Sequence, residues 1–398
     1  MTAKKIVILC CYSIFPPTSG GSVHTAVIGR SLARLGHQVT LYSLAGRQPD
    51  YRSRQPYLRK EIEPGLVEEV HLGLGYGLAQ AIAGRLGLPR RWQYALIRRG
   101  WVPKRLKQAL AEADVVLCDR TFCPRVPGPW AAKPWILISH NLEHRLLAIG
   151  NAGDRLHVAW MQKLEREAPA HYDDIMACAE DDQAYFREHD ASGRLRLPLV
   201  GSAVSPRDYA VPPGTRERLR AELGVADEVR LIVFSGSGFG PNLVALAVVK
   251  AFAAAEREWL FANKLRFLIL GSMEPTAYVE GALIVTGRVP EIAPYFAAAD
   301  AGLNPITIGS GANVKLFEYL AARLPVISTR FGVRGTPLDT ETDYIEFDSP
   351  DLKPALERFI AHDSAYWKAH AEAVWQRHRD SCDMERVVAN AIKVLPGF

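Results

Sequence analysis

The sequence predicts an α/β protein of two domains, each a parallel sheet covered by helices on both faces. Three observations carry this expectation. Short β-branched runs alternate with amphipathic stretches of helical period through most of the chain, which is the pattern of strand–helix–strand units. That pattern breaks over 198–213, a stretch rich in Pro, Ser and Gly, and then starts again. Finally, 398 residues are too many for one compact core and suit two domains.

The strands of the first half fall at 6–11, 38–44, 115–118, 135–139, 175–178 and 196–199. Those of the second fall at 231–235, 265–270, 283–285, 301–304, 326–328 and 344–346. Lys4 and Lys5 before the first run resemble the start of a signal peptide. The apolar run is short, however, and stops at Pro16-Pro17 with no small-residue cleavage site, so it reads as a strand. A long helix over 365–395 carries Trp367 and Trp375 and has the length to cross back to the first domain. The expected division is a first domain over 1–200, a linker over 201–213, a second domain over 214–370 and a C-terminal helix over 371–398.

Composition narrows the functional classes. Apolar residues make up 48% and charged residues 23% of the chain, which supplies two cores and gives no sign of general disorder. A net charge of +5 is mild, and no nucleic-acid partner is expected from it. The six cysteines, at 10, 11, 118, 123, 178 and 382, lack zinc-site spacing and read as reduced core thiols of a cytoplasmic protein. No stretch approaches the ~20 apolar residues of a membrane span, so any membrane contact is peripheral. One segment bears on that contact. Between Arg90 and Lys107 stand seven basic residues and no acid, with Trp92, Tyr94 and Trp101 interleaved. Two readings stand: a patch for an anionic membrane surface or a lipid-diphosphate acceptor, or a solvated helical face with its aromatics packed inward.

Three places carry chemistry. The first strand runs through Pro16-Pro17 to Gly20-Gly21 and a helix that ends at Gly36. Glycines let the backbone approach a ligand, and a helix N-terminus offers free N–H groups to a phosphate or sugar. The strand at 135–139 ends at His140-Asn141, and ligands of open parallel sheets bind beyond the carboxyl ends of the strands. In the stretch from Pro305 to Leu320 a strand is followed by Gly309-Ser310-Gly311-Ala312-Asn313 and an apolar helix bearing Lys315 and Glu318. That turn suits a diphosphate, and the Glu318 carboxylate can accept two hydrogen bonds from a ribose diol.

On these residues the chain resembles the retaining glycosyltransferases of family 4, which have the GT-B fold of two Rossmann-like domains facing across a cleft. The resemblance runs from Pro16-Pro17-x-x-Gly20-Gly21 through Ser139-His140-Asn141-x-Glu143 and Gly287-x-Val289-Pro290-Glu291. It ends on Lys315-x-x-Glu318-x-Leu320-Ala321 and Pro325-Val326-Ile327-Ser328. It implies a nucleoside diphosphate sugar as donor, bound mostly by the second domain, and an acceptor glycan, lipid-linked sugar or small molecule on the first. Position by position, it implies that Gly20 and Gly21 lie against the diphosphate and sugar, and that His140 reaches the transferred sugar. Arg288 and Val289 border the base, Glu318 holds the ribose, and the turn from Ser310 to Asn313 faces the diphosphate. Retention follows from the resemblance alone.

Two departures stand out. The family often has two Glu residues seven positions apart, and the first falls at Ser310. It also commonly places an Arg and a Lys after the first strand of the second domain, where this chain has Gly236-Ser237-Gly238-Phe239-Gly240-Pro241-Asn242. Lys315, helped by Asn242 and Asn313, is the candidate to offset the diphosphate charge, with Gly236 in the same turn. No Asp-x-Asp dyad occurs, so neither a metal nor a cofactor is expected. Other readings are a nucleotide-sugar epimerase of the same architecture, a non-catalytic nucleotide-sugar binder, and a dinucleotide oxidoreductase, whose third fingerprint glycine is replaced by Pro241.

Overall fold

A computed structural model describes residues 2–17, 20–47, 50–73, 75, 78, 82, 85–86, 91–150, 155–238, 240–309, 313–339 and 341–398. The chain forms two compact units, Met1–Gly201 with Met384–Phe398, and Ser202–Asp383.

The first unit is a seven-stranded sheet in the order β3-β4-β2-β1-β5-β6-β7. Its strands are β1 (Lys5–Cys10), β2 (Gln38–Ser43), β3 (Tyr57–Glu63), β4 (Leu66–His71), β5 (Val115–Asp119), β6 (Trp135–Ile138) and β7 (Asp174–Met176). Only β3 runs antiparallel. Five of the six residues of β1 are buried in succession, as a central strand covered on both faces demands. The helices described are α1 (Gly20–Arg34), α2 (Arg91–Arg98), α3 (Lys104–Glu112), α4 (Glu143–Gly150), α5 (Arg155–His171) and α6 (Glu180–Glu188). Helix α1 buries Ala26, Val27, Ile28 and Leu32, and the chain leaves it through Gly36 at φ +94°.

The second unit repeats the plan in the order β10-β11-β9-β8-β12-β13-β14, with only β10 antiparallel. Its strands are β8 (Arg230–Ser235), β9 (Leu265–Leu270), β10 (Tyr278–Glu280), β11 (Leu283–Gly287), β12 (Ala301–Asn304), β13 (Val326–Ser328) and β14 (Tyr344–Glu346). The helices are α7 (Thr215–Glu222), α8 (Gly240–Ala255), α9 (Arg257–Ala262), α10 (Ala293–Ala298), α11 (Val314–Ala321), α12 (Lys353–Ile360) and α13 (Ser364–Cys382). The period of two is visible in β8. Ile232 and Phe234 enter the core shared with α8 and α12, while Leu231 and Val233 enter the core shared with α10, α11 and α13. Each such buried side chain stabilises its layer by about 1.5–3 kcal/mol.

The structure departs from the sequence reading in three places. Strands β3, β4 and β10 extend the sheets beyond the runs expected. Residues 196–199 make only isolated bridges, Arg196 with Asp174 and Leu199 with Ala177. The long C-terminal helix is two helices, because Asp383 takes an extended conformation at φ −90°, ψ 110°. Helix α13 stays with the second unit, and α14 (Met384–Lys393) packs on α1 of the first. All six cysteines are free thiols, and five of them are buried.

Candidate active site

The order of each sheet reverses between its two central strands, β1 and β5 in the first unit and β8 and β12 in the second. Open parallel sheets bind their ligands at such a point, beyond the carboxyl ends of the strands.

In the first unit the loop after β1 is held from the side by Glu68 of β4. Its carboxylate accepts from the backbone N–H of Ile14 (2.5 Å) and Phe15 (3.3 Å) and from the hydroxyls of Ser13 (3.2 Å) and Ser43 (3.1 Å). Lys60 Nζ lies 3.2 Å from the same carboxylate and donates to Phe15 O at 3.0 Å. The fully buried charge is thus paired and hydrogen-bonded, the condition under which burial is tolerated. The loop so fixed delivers Gly20 and Gly21 to the start of α1. A Cβ on Gly21 would lie 1.8 Å from Arg120 Nη2, so glycine is what admits the guanidinium there. Arg120 itself follows β5 in the left-handed region at φ +77°, and it pairs with Asp119 and Glu143 at 3.7 and 3.4 Å.

His140, just past β6, sits in a hydrogen-bonded chain with a 4% exposed side chain. Its Nε2 is 2.6 Å from Asp119 Oδ1, which also accepts from Thr25 Oγ1 at 2.7 Å. Its Nδ1 is 3.1 Å from Nδ1 of His24, whose Nε2 faces the carbonyl oxygens of Val200 (2.9 Å) and Gly201 (3.0 Å). Burial, with His140 alongside, pushes His24 down to about 3, so it is neutral. Two facing carbonyls require the His24 proton on Nε2, leaving Nδ1 to accept from His140. Burial alone would raise the Asp119 carboxyl, but His140, Arg120 and Thr25 outweigh it and hold it below its ordinary value. His140 thus lies between Asp119 Oδ1 on one side and His24 Nδ1 on the other.

Behind this chain, Glu165 of α5 caps α4, accepting from the N–H of Glu143 at 2.5 Å and from the His144 ring. Burial pushes Glu165 up to about 8 and lowers His144.

In the second unit, Gly236 follows β8 and Gly271, at φ +104°, follows β9. A Cβ on Gly271 would lie 2.2 Å from Gly236 O, and one on Gly236 would lie 2.7 Å from Met273 Sδ and 3.0 Å from Asn242 Cγ. The close backbone approach of the two turns requires glycine at 271. Lys315 projects from the first turn of α11, donates to Asn242 Oδ1 at 2.8 Å and stands 4.8 Å from the Phe234 ring centre. Burial lowers it to about 7. One turn on, the partly buried Glu318 accepts from the Tyr209 hydroxyl at 3.1 Å, and burial raises its carboxyl. Tyr209 is held flat against Phe296, with planes 9° apart and centres 5.9 Å apart.

The structure thus brings Gly236, Asn242, Lys315 and Glu318 together around β8 and α11, and Gly20, Gly21 and His140 around β1, β5 and β6. Arg288 is exposed and Val289 partly buried at the carboxyl end of β11, two strands from β8. The Asn313 side chain caps no helical N–H and turns its amide to Gly332 O at 2.6 Å. Ser310, Gly311 and Ala312 lie outside the described residues, as does Arg90. In the basic segment Ile97, Leu106 and Leu110 are buried, while Arg98, Arg99, Lys104, Arg105 and Lys107 are exposed. Trp101 is 62% exposed, so it is not packed inward. Among the described residues no group of three His, Cys, Asp or Glu could hold a metal ion, and no helix is long and apolar enough to cross a membrane.

The sequence reading missed Asp119, Arg120, His24, Thr25 and Tyr209. Asp119-Arg120 had a signal, two charges directly after an apolar run and so at a strand's carboxyl end. Tyr209 had none, since its partner Glu318 is 109 positions away.

Two family profiles match the chain: "Glycosyltransferase Family 4" over residues 18–197 and "Glycosyl transferases group 1" over residues 230–361. No curated protein matches. Among solved structures, the chain is similar to sucrose-phosphate synthase from Thermosynechococcus elongatus, at 14% identity and TM-score 0.67 over 98% of each chain. It is also similar to WaaG, a glycosyltransferase involved in lipopolysaccharide biosynthesis (18%, TM-score 0.63, 99% of this chain and 100% of that one). A third is Anabaena HepE in complex with UDP and glucose (13%, TM-score 0.62, 99% and 100%).

Proposed function

This chain belongs to the glycosyltransferases of family 4, group 1, and from that premise we propose that it moves a sugar from a nucleoside diphosphate sugar to an acceptor, with retention and without a metal. The observation that carries the reading is Lys315, bonded to Asn242 beside Gly236 at the carboxyl ends of the two central strands, one turn before Glu318. In this reading the diphosphate takes Lys315 and the N-terminus of α11, and Glu318 takes the ribose diol. Arg288 and Val289 border the base. Gly20, Gly21 and His140 serve the transferred sugar. His140 does so by exchanging its bond to His24 for one to a sugar hydroxyl.

The acceptor oxygen bonds to the anomeric carbon as the bond from that carbon to the diphosphate breaks, and the acceptor proton passes to the departing diphosphate. Fixed donors aimed at that developing charge replace a bridging cation. HepE in complex with UDP and glucose supports the class of donor. The exposed basic residues from Arg98 to Lys107, with Trp101, support a cytoplasmic enzyme peripheral to an anionic membrane and a lipid-linked acceptor. Vesicle binding that weakens with salt tests that part, and no binding at low salt points to a soluble acceptor.

The main test is incubation with UDP-, GDP- and ADP-sugars, with and without acceptor extracts, in EDTA. Nucleoside diphosphate released only with acceptor is the expected result. An epimeric sugar, binding without turnover, or activity that returns only with magnesium or manganese overturns it in turn as transferase, as enzyme and as metal-independent.

A further inference from the structure

A doubly charged diphosphate needs permanent positive charge, and the turn after β8, from Gly236 to Asn242, holds no basic residue. Lys315 is an incomplete answer, because burial brings it to about 7 and leaves it only partly charged at neutral pH. A second cation stands close by on another element. Arg334 follows β13, and its Nη2 lies 3.3 Å from the point a Cβ of Gly309 would occupy, with Pro241 Cγ at 3.5 Å from that same point. Gly309, at φ +133°, takes a backbone conformation that other residues rarely adopt. The guanidinium and the first turn of α8 thus both lie against Gly309, and the next residue of α8, Asn242, is the one bonded to Lys315.

The turn carrying Arg334 is braced. Thr329 Oγ1 donates to Ile306 O at 2.5 Å and accepts from Gly332 N at 2.9 Å. Gly332 O accepts from Asn304 (3.1 Å) and from Asn313 (2.6 Å), the residue before α11. The turn is therefore fixed both to the end of β12 and to the start of α11. The guanidinium lies 3.9 Å from the Phe331 ring centre and spends Nη1 on Phe331 O at 2.9 Å. Among the described residues no carboxylate pairs with it. Burial lowers it somewhat, but a guanidinium keeps its proton at any working pH.

We infer that Arg334 is a donor-binding residue of this enzyme, supplying to the diphosphate the fixed charge that the β8 turn lacks. The inference rests on the donor site proposed above. Its test is calorimetry with UDP, GDP and ADP and with the matching nucleosides, on wild type, Arg334→Gln and Arg334→Lys. Arg334→Gln should bind the preferred nucleoside diphosphate about ten- to hundred-fold more weakly, the loss of a charge-assisted contact. Its affinity for the nucleoside and its melting temperature should be unchanged, and Arg334→Lys should recover part of the loss. Equal binding of the diphosphate by wild type and Arg334→Gln overturns the inference and leaves the donor site standing. A loss as large for the nucleoside shows a structural role and also overturns it. If wild type binds none of the three nucleotides, the donor-site reading itself falls.

Discussion

Lys315 and Glu318 stand one turn apart on α11, and burial lowers the lysine while it raises the carboxyl. The lysine loses its proton near pH 7 in the free protein, against about 10.4 ordinarily. A bound diphosphate favours the charged form, so affinity is full below pH 7 and each unit above it costs up to about tenfold. A nucleotide sugar, whose diphosphate keeps a fixed charge over this range, should show that fall with proton uptake on binding. Lys315→Met should bind more weakly and with a flat profile, and a flat profile in wild type would place Lys315 away from the phosphates. Glu318→Ala should lose about 1.5–3 kcal/mol of donor affinity, the range for hydrogen bonds to charged groups. An unchanged dissociation constant would remove Glu318 from the site. His140 shows how far a residue reads from sequence. Its place at a strand's carboxyl end was legible from the run before it. Its bonds to His24 and Asp119 were not, because those partners lie 116 and 21 positions away.

At the scale of elements, the strands buried on both faces were legible because each carries a nearly continuous apolar run, as in Leu231 to Phe234. Strands β3 and β4 were hidden because charged residues interrupt the apolar signal, Arg59, Lys60, Glu61 and Glu69 at positions at least partly open to solvent and Glu68 on the buried face of β4. The break between α13 and α14 was hidden because it falls at a single extended residue, Asp383, with helical apolar period on both sides, although Asp380-Ser381-Cys382-Asp383 are weak helix formers. The start of α13 has a readable cause. Asp363 precedes the helix, and its side chain accepts from the N–H of Tyr366 at 2.8 Å. Asp363→Ala should lower the stability of the second unit by about 1 kcal/mol, within a usual span of about 0.5–2, while Asp363→Asn should cost little. Chemical denaturation followed by tryptophan fluorescence reads this out, since α13 carries the buried Trp367 and Trp375. Equal midpoints for wild type and Asp363→Ala would show that packing alone sets the helix start.

The whole molecule has one discontinuous unit. Met384–Phe398 joins the first unit after the chain has built the second. Helix α14 lays Val387, Val388, Ala391 and Ile392 into buried positions, Arg34 of α1 pairs with Glu385 at 3.0 Å, and Phe398 meets the His37 ring at 5.8 Å. Buried apolar side chains of this kind contribute about 1.5–3 kcal/mol each, against a net stability of about 5–15 kcal/mol for a typical domain. Removing residues 384–398 should therefore loosen the first unit and leave the second intact. Limited proteolysis would show new cuts in or near α1 with Ser202–Asp383 protected. Unchanged protection of α1 would make the returning helix dispensable.

That return also sets an order of assembly during translation. The ribosome releases the segment that becomes α14 only after all of β8 to α13 has emerged. Domains generally fold in the order of synthesis, but here the outer face of α1 waits uncovered while the later unit closes first. The earlier-made half of the enzyme is thus the last to be finished. A nascent chain stalled before Met384 would carry a completed second unit behind a first unit still open along α1.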